Sequence, residues 1–243
     1  MATYPSVDPG SLTREGLLSM IDYTMLKPEE TLRGYTKFIK AAAQWGFHAV
    51  FVPPCYVPVA VGMLSSTPVM VGTPVSFPFG YSDPDTKAAE ALSALEEGAS
   101  ELDVVMNVSA ALSGVWEIVE EDLSEVVSTV RAWEKSTLGG PVTVKVILET
   151  PYLDREQKIE ACRVSVAAGA DFVKTATGLG PGGATVEDVK LMRQVVGEGI
   201  GVKASGGIRT WFAARDLITA GASRIGTSTG PELVEEFLGV KGK

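Results

Sequence analysis

The chain has 243 residues, 45% of them apolar, and a formal net charge of −9; the length suits one α/β barrel, and the acidity excludes a basic stripe for nucleic acid. No apolar run is long enough to span a membrane, and MATYPSVDPG lacks the basic-then-apolar build of a signal peptide, so a cytoplasmic protein without membrane partners is expected. Two cysteines, Cys55 and Cys162, make neither a disulfide framework nor a zinc site.

A short N-terminal helix around SLTREGLLSM precedes a first strand in MIDYTML (20–26). Seven more short apolar runs read as strands: AVFV (49–52), VMVGTPVSF (69–77), ELDVVM (101–106), VTVKVILE (142–149), DFVKTA (171–176), GVKAS (201–205) and SRIGT (223–227). Helical patterns separate them, from Asp83 to Gly98, from Asp154 to Gly169, from Thr185 with Asp188 in its first turn, and from Pro231 onward. Four times a glycine closes a helix and a strand begins shortly after, at Gly46, Gly98, Gly169 and Gly221. Eight strands alternating with helices, with no linker, predict a single (β/α)8 TIM barrel over residues 1–243. An open doubly wound sheet is the lesser alternative, because no G-x-G-x-x-G follows the first strand.

Alternation along the strands sorts the charged residues. In VTVKVILE the set Val142, Val144, Val146 and Leu148 faces the helices, which turns Thr143, Lys145, Ile147 and Glu149 inward. The same parity turns Glu101, Asp103 and Asn107 inward, with Lys174, Lys203, Ser205, Asp22 and Thr24. A structural core would hold apolar residues there, and the three inward lysines are expected to face too few confidently inward acids to be neutralised. Neighbouring ammonium groups repel, and burial adds to the ease of proton loss. A free amine attacks a carbonyl to form a Schiff base. Lys174 and Lys203 are therefore candidate catalytic lysines, and Asp103 is the candidate proton carrier. A self-neutralising ion-pair network is the structural alternative.

The last two strand-to-helix loops, SGGIRT (205–210) and GTSTGPE (226–232), lie just before helices, where backbone amides and the helix dipole bind phosphate. Gly206, Gly207, Ser228 and Thr229 are expected to bind it, with Thr177 and Gly178 of TATGLGPGG adding to the cradle. His48 is the single histidine, placed at the bottom of the barrel, so a histidine triad or histidine-rich metal site is excluded. Cys55 reads as a loop thiol on the catalytic side and Cys162 as helix core.

The motifs IDYTMLKP, SFPFG, ELDVVMN, KVILET, FVKTATG, GGAT, VKASGGIRT and RIGTSTG, in this order from about residue 20 to 230, closely resemble those of the deoxyribose-phosphate aldolase family. The resemblance implies a class I aldolase that needs no metal or organic cofactor. It implies cleavage of 2-deoxy-D-ribose 5-phosphate to D-glyceraldehyde 3-phosphate and acetaldehyde. By motif, Lys174 is implied as the Schiff-base lysine, Lys203 as its pKa-lowering neighbour and Asp103 as the proton donor and acceptor. Asp22, Thr24 and Lys145 are assigned to the substrate site with the phosphate loops, and a homo-oligomer, a dimer favoured, is expected.

The chain departs from the family at four places. Tyr23 stands for a histidine, and by parity it faces the helices. FVPP (51–54) replaces a cysteine and asparagine before proline, which is expected to alter the pocket wall near Phe51 and Pro53. Leu179 stands for a lysine, and the tail EEFLGVKGK has no tyrosine. The remaining alternatives are another Schiff-base aldolase with a different donor or acceptor, and a barrel that binds sugar phosphates without turnover.

Overall fold

At the four recurring joints the glycine has a positive φ, from +73° at Gly46 to +110° at Gly221, the left-handed conformation that ends a helix and strains any other residue. Helix starts are equally local in origin. Thr31, Asp83, Asp154, Thr185 and Thr210 each accept a first-turn backbone N–H, and Asp154 with Gln157 forms a reciprocal capping box.

This computed structural model describes residues 3–137 and 140–240; the last three residues of the tail, 241–243, lie outside them. The strands are β1 (Ile21–Thr24), β2 (Ala49–Phe51), β3 (Met70–Val75), β4 (Glu101–Val105), β5 (Thr143–Ile147), β6 (Phe172–Lys174), β7 (Gly201–Ser205) and β8 (Arg224–Thr227). They close in chain order into an all-parallel barrel, β8 pairing with β1. Around it lie α1 (Arg14–Leu18), α2 (Leu32–Trp45), α3 (Val57–Leu64), α4 (Pro84–Glu96), α5 (Val108–Leu112), α6 (Trp116–Ser136), α7 (Arg155–Ala167), α8 (Val186–Val196), α9 (Trp211–Thr219) and α10 (Gly230–Phe237). The expected barrel and its short N-terminal helix are both present, and the last helix opens one residue earlier than expected.

Register fixes what faces the interior. Asp103 pairs with Lys145, Ile147 with Lys174, and Lys174 with Lys203 across neighbouring strands. A slip of one residue would turn each of these toward the helices. The opposite set, Leu102, Val104, Val144, Val146, Val173 and Val202, is buried in the core shared with the helices. Tyr23 follows the same parity: its ring stacks on Phe38 of α2, 3.7 Å between centroids, and burial pushes its phenol up to about 12.

Two expectations shift. Asn107 caps α5 by accepting the Ala110 N–H, because the strand ends before its parity can apply. Glu149 also lies past its strand, with φ +53°, and its carboxylate accepts the Thr177 N–H at 3.1 Å.

A charged pair is also buried outside the barrel, between α4 and α6. Lys87 Nζ donates to Asp122 Oδ2 at 2.6 Å and to the Val105 carbonyl of β4 at 2.9 Å, and both side chains are buried. Removing one member strands the other's charge, whereas replacing both with apolar residues does not. Asp122→Ala is expected to cost about 3–5 kcal/mol in urea unfolding, and Lys87→Met with Asp122→Leu to recover most of the loss.

Candidate active site

Four cations and three carboxylates meet inside the barrel. Asp103 lies at the centre: Lys203 Nζ is 2.7 Å and Lys174 Nζ 2.8 Å from its Oδ2, and Lys145 Nζ is 3.1 Å from Oδ1. Lys203 also reaches Asp22 at 2.6 Å, and Lys145 reaches Glu101 at 2.6 Å. Arg224, which parity had not singled out, lies 3.1 Å from Asp22 and 3.6 Å from Glu101. The expectation that the lysines face too few acids is corrected, since Asp22, Glu101 and Asp103, all turned inward by parity, join the network.

The lysines are electrostatically unlike. Burial lowers the Lys174 pKa, and Lys203 and Lys145 lower it further against the pull of Asp103, leaving it at about 8. Burial acts the same way on Lys145, but Asp103, Glu101 and Asp22 overcome it and hold that ammonium above the usual lysine range. Asp103 is pushed up by burial, yet the three lysines outweigh this and hold its carboxyl well below the usual range. A lysine near neutrality is the group able to act as a nucleophile.

Lys174 is also the lysine that reaches the cleft. A cavity of about 200 Å³ opens at the C-terminal ends of the strands, with Lys174 and Ser205 in its floor. Thr24, Thr177, Gly178, Gly206, Gly207 and Ser228 line it, as expected. Three expected substrate contacts do not. Asp22 and Lys145 are fully buried beneath the cleft within the ion network. Thr229 instead turns its hydroxyl to Thr227 Oγ1 at 3.2 Å and to the Arg209 carbonyl at 3.3 Å. Its side chain therefore leaves the first amides of α10 uncapped beside the cleft, the condition a phosphate needs.

The β6 and β7 loops build the wall jointly. Gly206 and Gly207 both have positive φ, +96° and +76°, and a Cβ on Gly183 would lie 2.2 Å from the Gly206 carbonyl oxygen. Ser205 Oγ donates to the Ala176 carbonyl at 2.6 Å, and Ala184 N to the Gly206 carbonyl at 3.1 Å. Only backbone fits at this contact.

Sequence reasoning missed Lys27 and Arg209, both exposed at the rim. Neither has an ion-pair partner among the described residues, and both sit in quoted motifs, IDYTMLKP and GGIRT. They offer an anion the charge that Leu179, 56% exposed on the same rim, cannot. The pocket-wall expectation at FVPP is also corrected: neither Phe51 nor Pro53 lines the cleft, and the Phe51 ring lies beneath it. Cys55 is exposed in the turn after β2, and Cys162 is buried, its thiol pushed up to about 12 by burial.

His48 Nε2 lies 2.7 Å from Glu101 at the bottom of the barrel, the place expected for it. With Asp22 and Glu101 it brings ligand atoms within 4.8 Å of one another. These carboxylates are already engaged by Lys203, Lys145 and Arg224. The cations occupy the place a metal would need.

Known proteins share this sequence pattern and this fold. The model for the DeoC/LacD aldolase family matches residues 18–231. A deoxyribose-phosphate aldolase of Caldanaerobacter subterraneus is 51% identical over 221 residues, covering 91% of this chain and 93% of the relative. One from Thermococcus gammatolerans is 50% identical over 217 residues, covering 88% and 93%. The solved deoxyribose phosphate aldolase from Aeropyrum pernix, described as tetrameric, superposes with a TM-score of 0.85 at 33% identity over 94% of each chain. With these motifs on one closed barrel, the chain belongs to the DeoC/LacD family of aldolases.

Proposed function

We propose that the chain is a class I deoxyribose-phosphate aldolase in which Lys174 forms the Schiff base. The observation that carries the reading is one buried lysine, its pKa lowered to about 8, in the floor of a cleft rimmed by cations and glycine-rich loops. Relatives at about half identity that carry the same activity in their names support the substrate.

The phosphate of 2-deoxy-D-ribose 5-phosphate rests against Gly206, Gly207 and Ser228, with Thr177 and Gly178 closing over it and Lys27 and Arg209 adding charge. Thr24 lines the side nearest β1. The amine of Lys174 attacks C1, and loss of water leaves an iminium. Electrons of the C2–C3 bond flow into the iminium as the C3 hydroxyl gives up its proton, which releases D-glyceraldehyde 3-phosphate. The enamine left on Lys174 takes a proton at its terminal carbon, and hydrolysis frees acetaldehyde.

Asp103 carries these protons. Its ionised carboxylate accepts the C3 hydroxyl proton and returns it, directly or through water, to the enamine carbon, with Lys203 2.7 Å away on the same oxygen that Lys174 contacts. Asp22 and Lys145 act from below by fixing Lys203 and Asp103. No metal or organic cofactor enters the reaction as read here. We read residues 1–243 as one aldolase domain. No helix of the described residues is long and apolar enough to cross a membrane, and we place the enzyme in the cytoplasm as a homo-oligomer, a dimer favoured.

Borohydride reduction with acetaldehyde, followed by peptide mass spectrometry, tests the chemistry. A single label on Lys174 is expected, lost in Lys174→Leu, with little labelling when dihydroxyacetone phosphate is the donor. A label on Lys203, or on no lysine, would sink the assignment.

The pH response has a definite sign. The free amine of Lys174 grows as pH rises through about 8, so labelling should speed up to that point and then level. Lys203→Leu removes a neighbouring positive charge and leaves Asp103 to hold Lys174 more tightly. Both effects raise the amine's pKa, so labelling should slow at neutral pH and recover in alkali. The check is the labelling rate against pH, corrected for the reductant's own pH dependence.

A further inference from the structure

The ion network has a member without charge. On β2, parity turns Phe51 inward, and its register partner on β3 is Gly72. A Cβ on Gly72 would lie 2.3 Å from Phe51 Cζ, so the ring lies across the strand where a side chain is missing. There it meets two ammonium groups face-on: Lys203 Nζ is 3.8 Å and Lys145 Nζ 4.5 Å from the ring centroid. The ring is 1% exposed, so water does not compete for those cations from its side.

We propose that Phe51 is a positioning residue of this aldolase, its ring face holding the Lys203 ammonium in place as the charge that acts on Lys174. The inference rests on the assignment of Lys174 as the nucleophile.

The charge count gives the reason for a ring at this point. Lys145, Lys174, Lys203 and Arg224 outnumber Asp22, Glu101 and Asp103 by one. A fourth carboxylate would stabilise the buried cations but would also hold the proton on Lys174. An aromatic face attracts a cation through its quadrupole, an interaction confined to about 6 Å from the centroid. It therefore steadies Lys203 and Lys145 with no net negative charge that Lys174 can feel. The other inward phenylalanine repeats the arrangement lower in the barrel. Phe172 stands opposite Gly201, and the Arg224 guanidinium lies 5.5 Å from its centroid.

Without the ring, an aliphatic side chain fills the space but offers the ammonium nothing. Lys203 then shifts toward its carboxylates or admits water, and in either case its repulsion of Lys174 weakens. The position therefore answers to a test that separates this role from simple packing. The Phe51→Leu protein, and Phe51→Met where Leu does not give folded protein, are labelled with acetaldehyde and cyanoborohydride across pH beside the wild type, with the same correction for the reductant.

The expected result is an apparent amine pKa raised by about one unit, so that labelling at neutral pH falls roughly tenfold and the curves converge in alkali. A uniform loss at every pH, or an unchanged profile, overturns the proposal while leaving the Schiff-base reading intact. A wild type that forms no imine on Lys174 overturns that reading, and the proposal with it.

Discussion

The ion-pair network inside this barrel joins four cations to three carboxylates, and the chemistry of the cleft follows from where the surplus falls. A buried ion costs several kcal/mol unless partners compensate it. The partners are unequally shared. Lys145 lies within 4 Å of three carboxylates, Lys203 and Arg224 of two each, and Lys174 of Asp103 alone. Release of one proton makes the network neutral. Arginine does not release one, and among the lysines the least compensated is Lys174, which is the one facing the cleft.

Placement of the surplus is a property of the backbone. Two parallel strands carry inward lysines at paired register, so Lys174 and Lys203 are neighbours across the β6–β7 ladder, where each charge disfavours the other. Asp103 comes from β4, across the interior, and reaches both through one oxygen. Beneath them Arg224, Glu101 and His48 interlock at the end of the barrel away from the cleft. Reactivity is thereby confined to the upper layer, while the lower one holds Asp22 and Glu101 in position. The glycine-rich loops after β6 and β7 stack backbone on backbone, and they line the same cleft as Lys174.

Much of this was legible from residue order because a strand's alternation is strict. Val144 and Val146 outward force Lys145 inward, and the same arithmetic places Asp103, Lys174 and Lys203. It fails where the strand stops. Asn107 and Glu149 lie past the ladder, and their orientation comes from a helix cap and a left-handed turn. Parity also gives a facing direction but no depth: it turns Asp22 and Lys145 inward, and both lie below the cleft. Thr229 shows a third limit: its hydroxyl chooses between the cleft and the Thr227 side chain, a choice made by three-dimensional proximity. Lys27 and Arg209 stood in the motifs, but exposed cations on loops carry no periodic signal. Phe51 reads as pocket wall from its place in the motif, and its part in the network shows only when the glycine opposite it and the two ammonium groups are seen together.

In the mechanism proposed above, the same surplus acts after the Lys174 amine has attacked. A neutral Lys174 restores balance in the empty site, but the iminium on that nitrogen puts the positive charge back. The field of Lys203 and Lys145 disfavours an iminium for the reason it disfavours the ammonium. Cleavage of the C2–C3 bond removes that charge, because the electron pair ends as a neutral enamine. Only an interaction that changes between ground and transition state accelerates a step, and here the charge on nitrogen is what changes. The proton from the C3 hydroxyl meanwhile moves toward Asp103, the carboxylate whose basicity the lysines depress. The network therefore favours losing the charge on nitrogen and resists storing a proton on Asp103, so a proton arriving there is soon passed on. A barrel with balanced charges would ease the proton transfer but would give up both the free amine and the push toward the enamine.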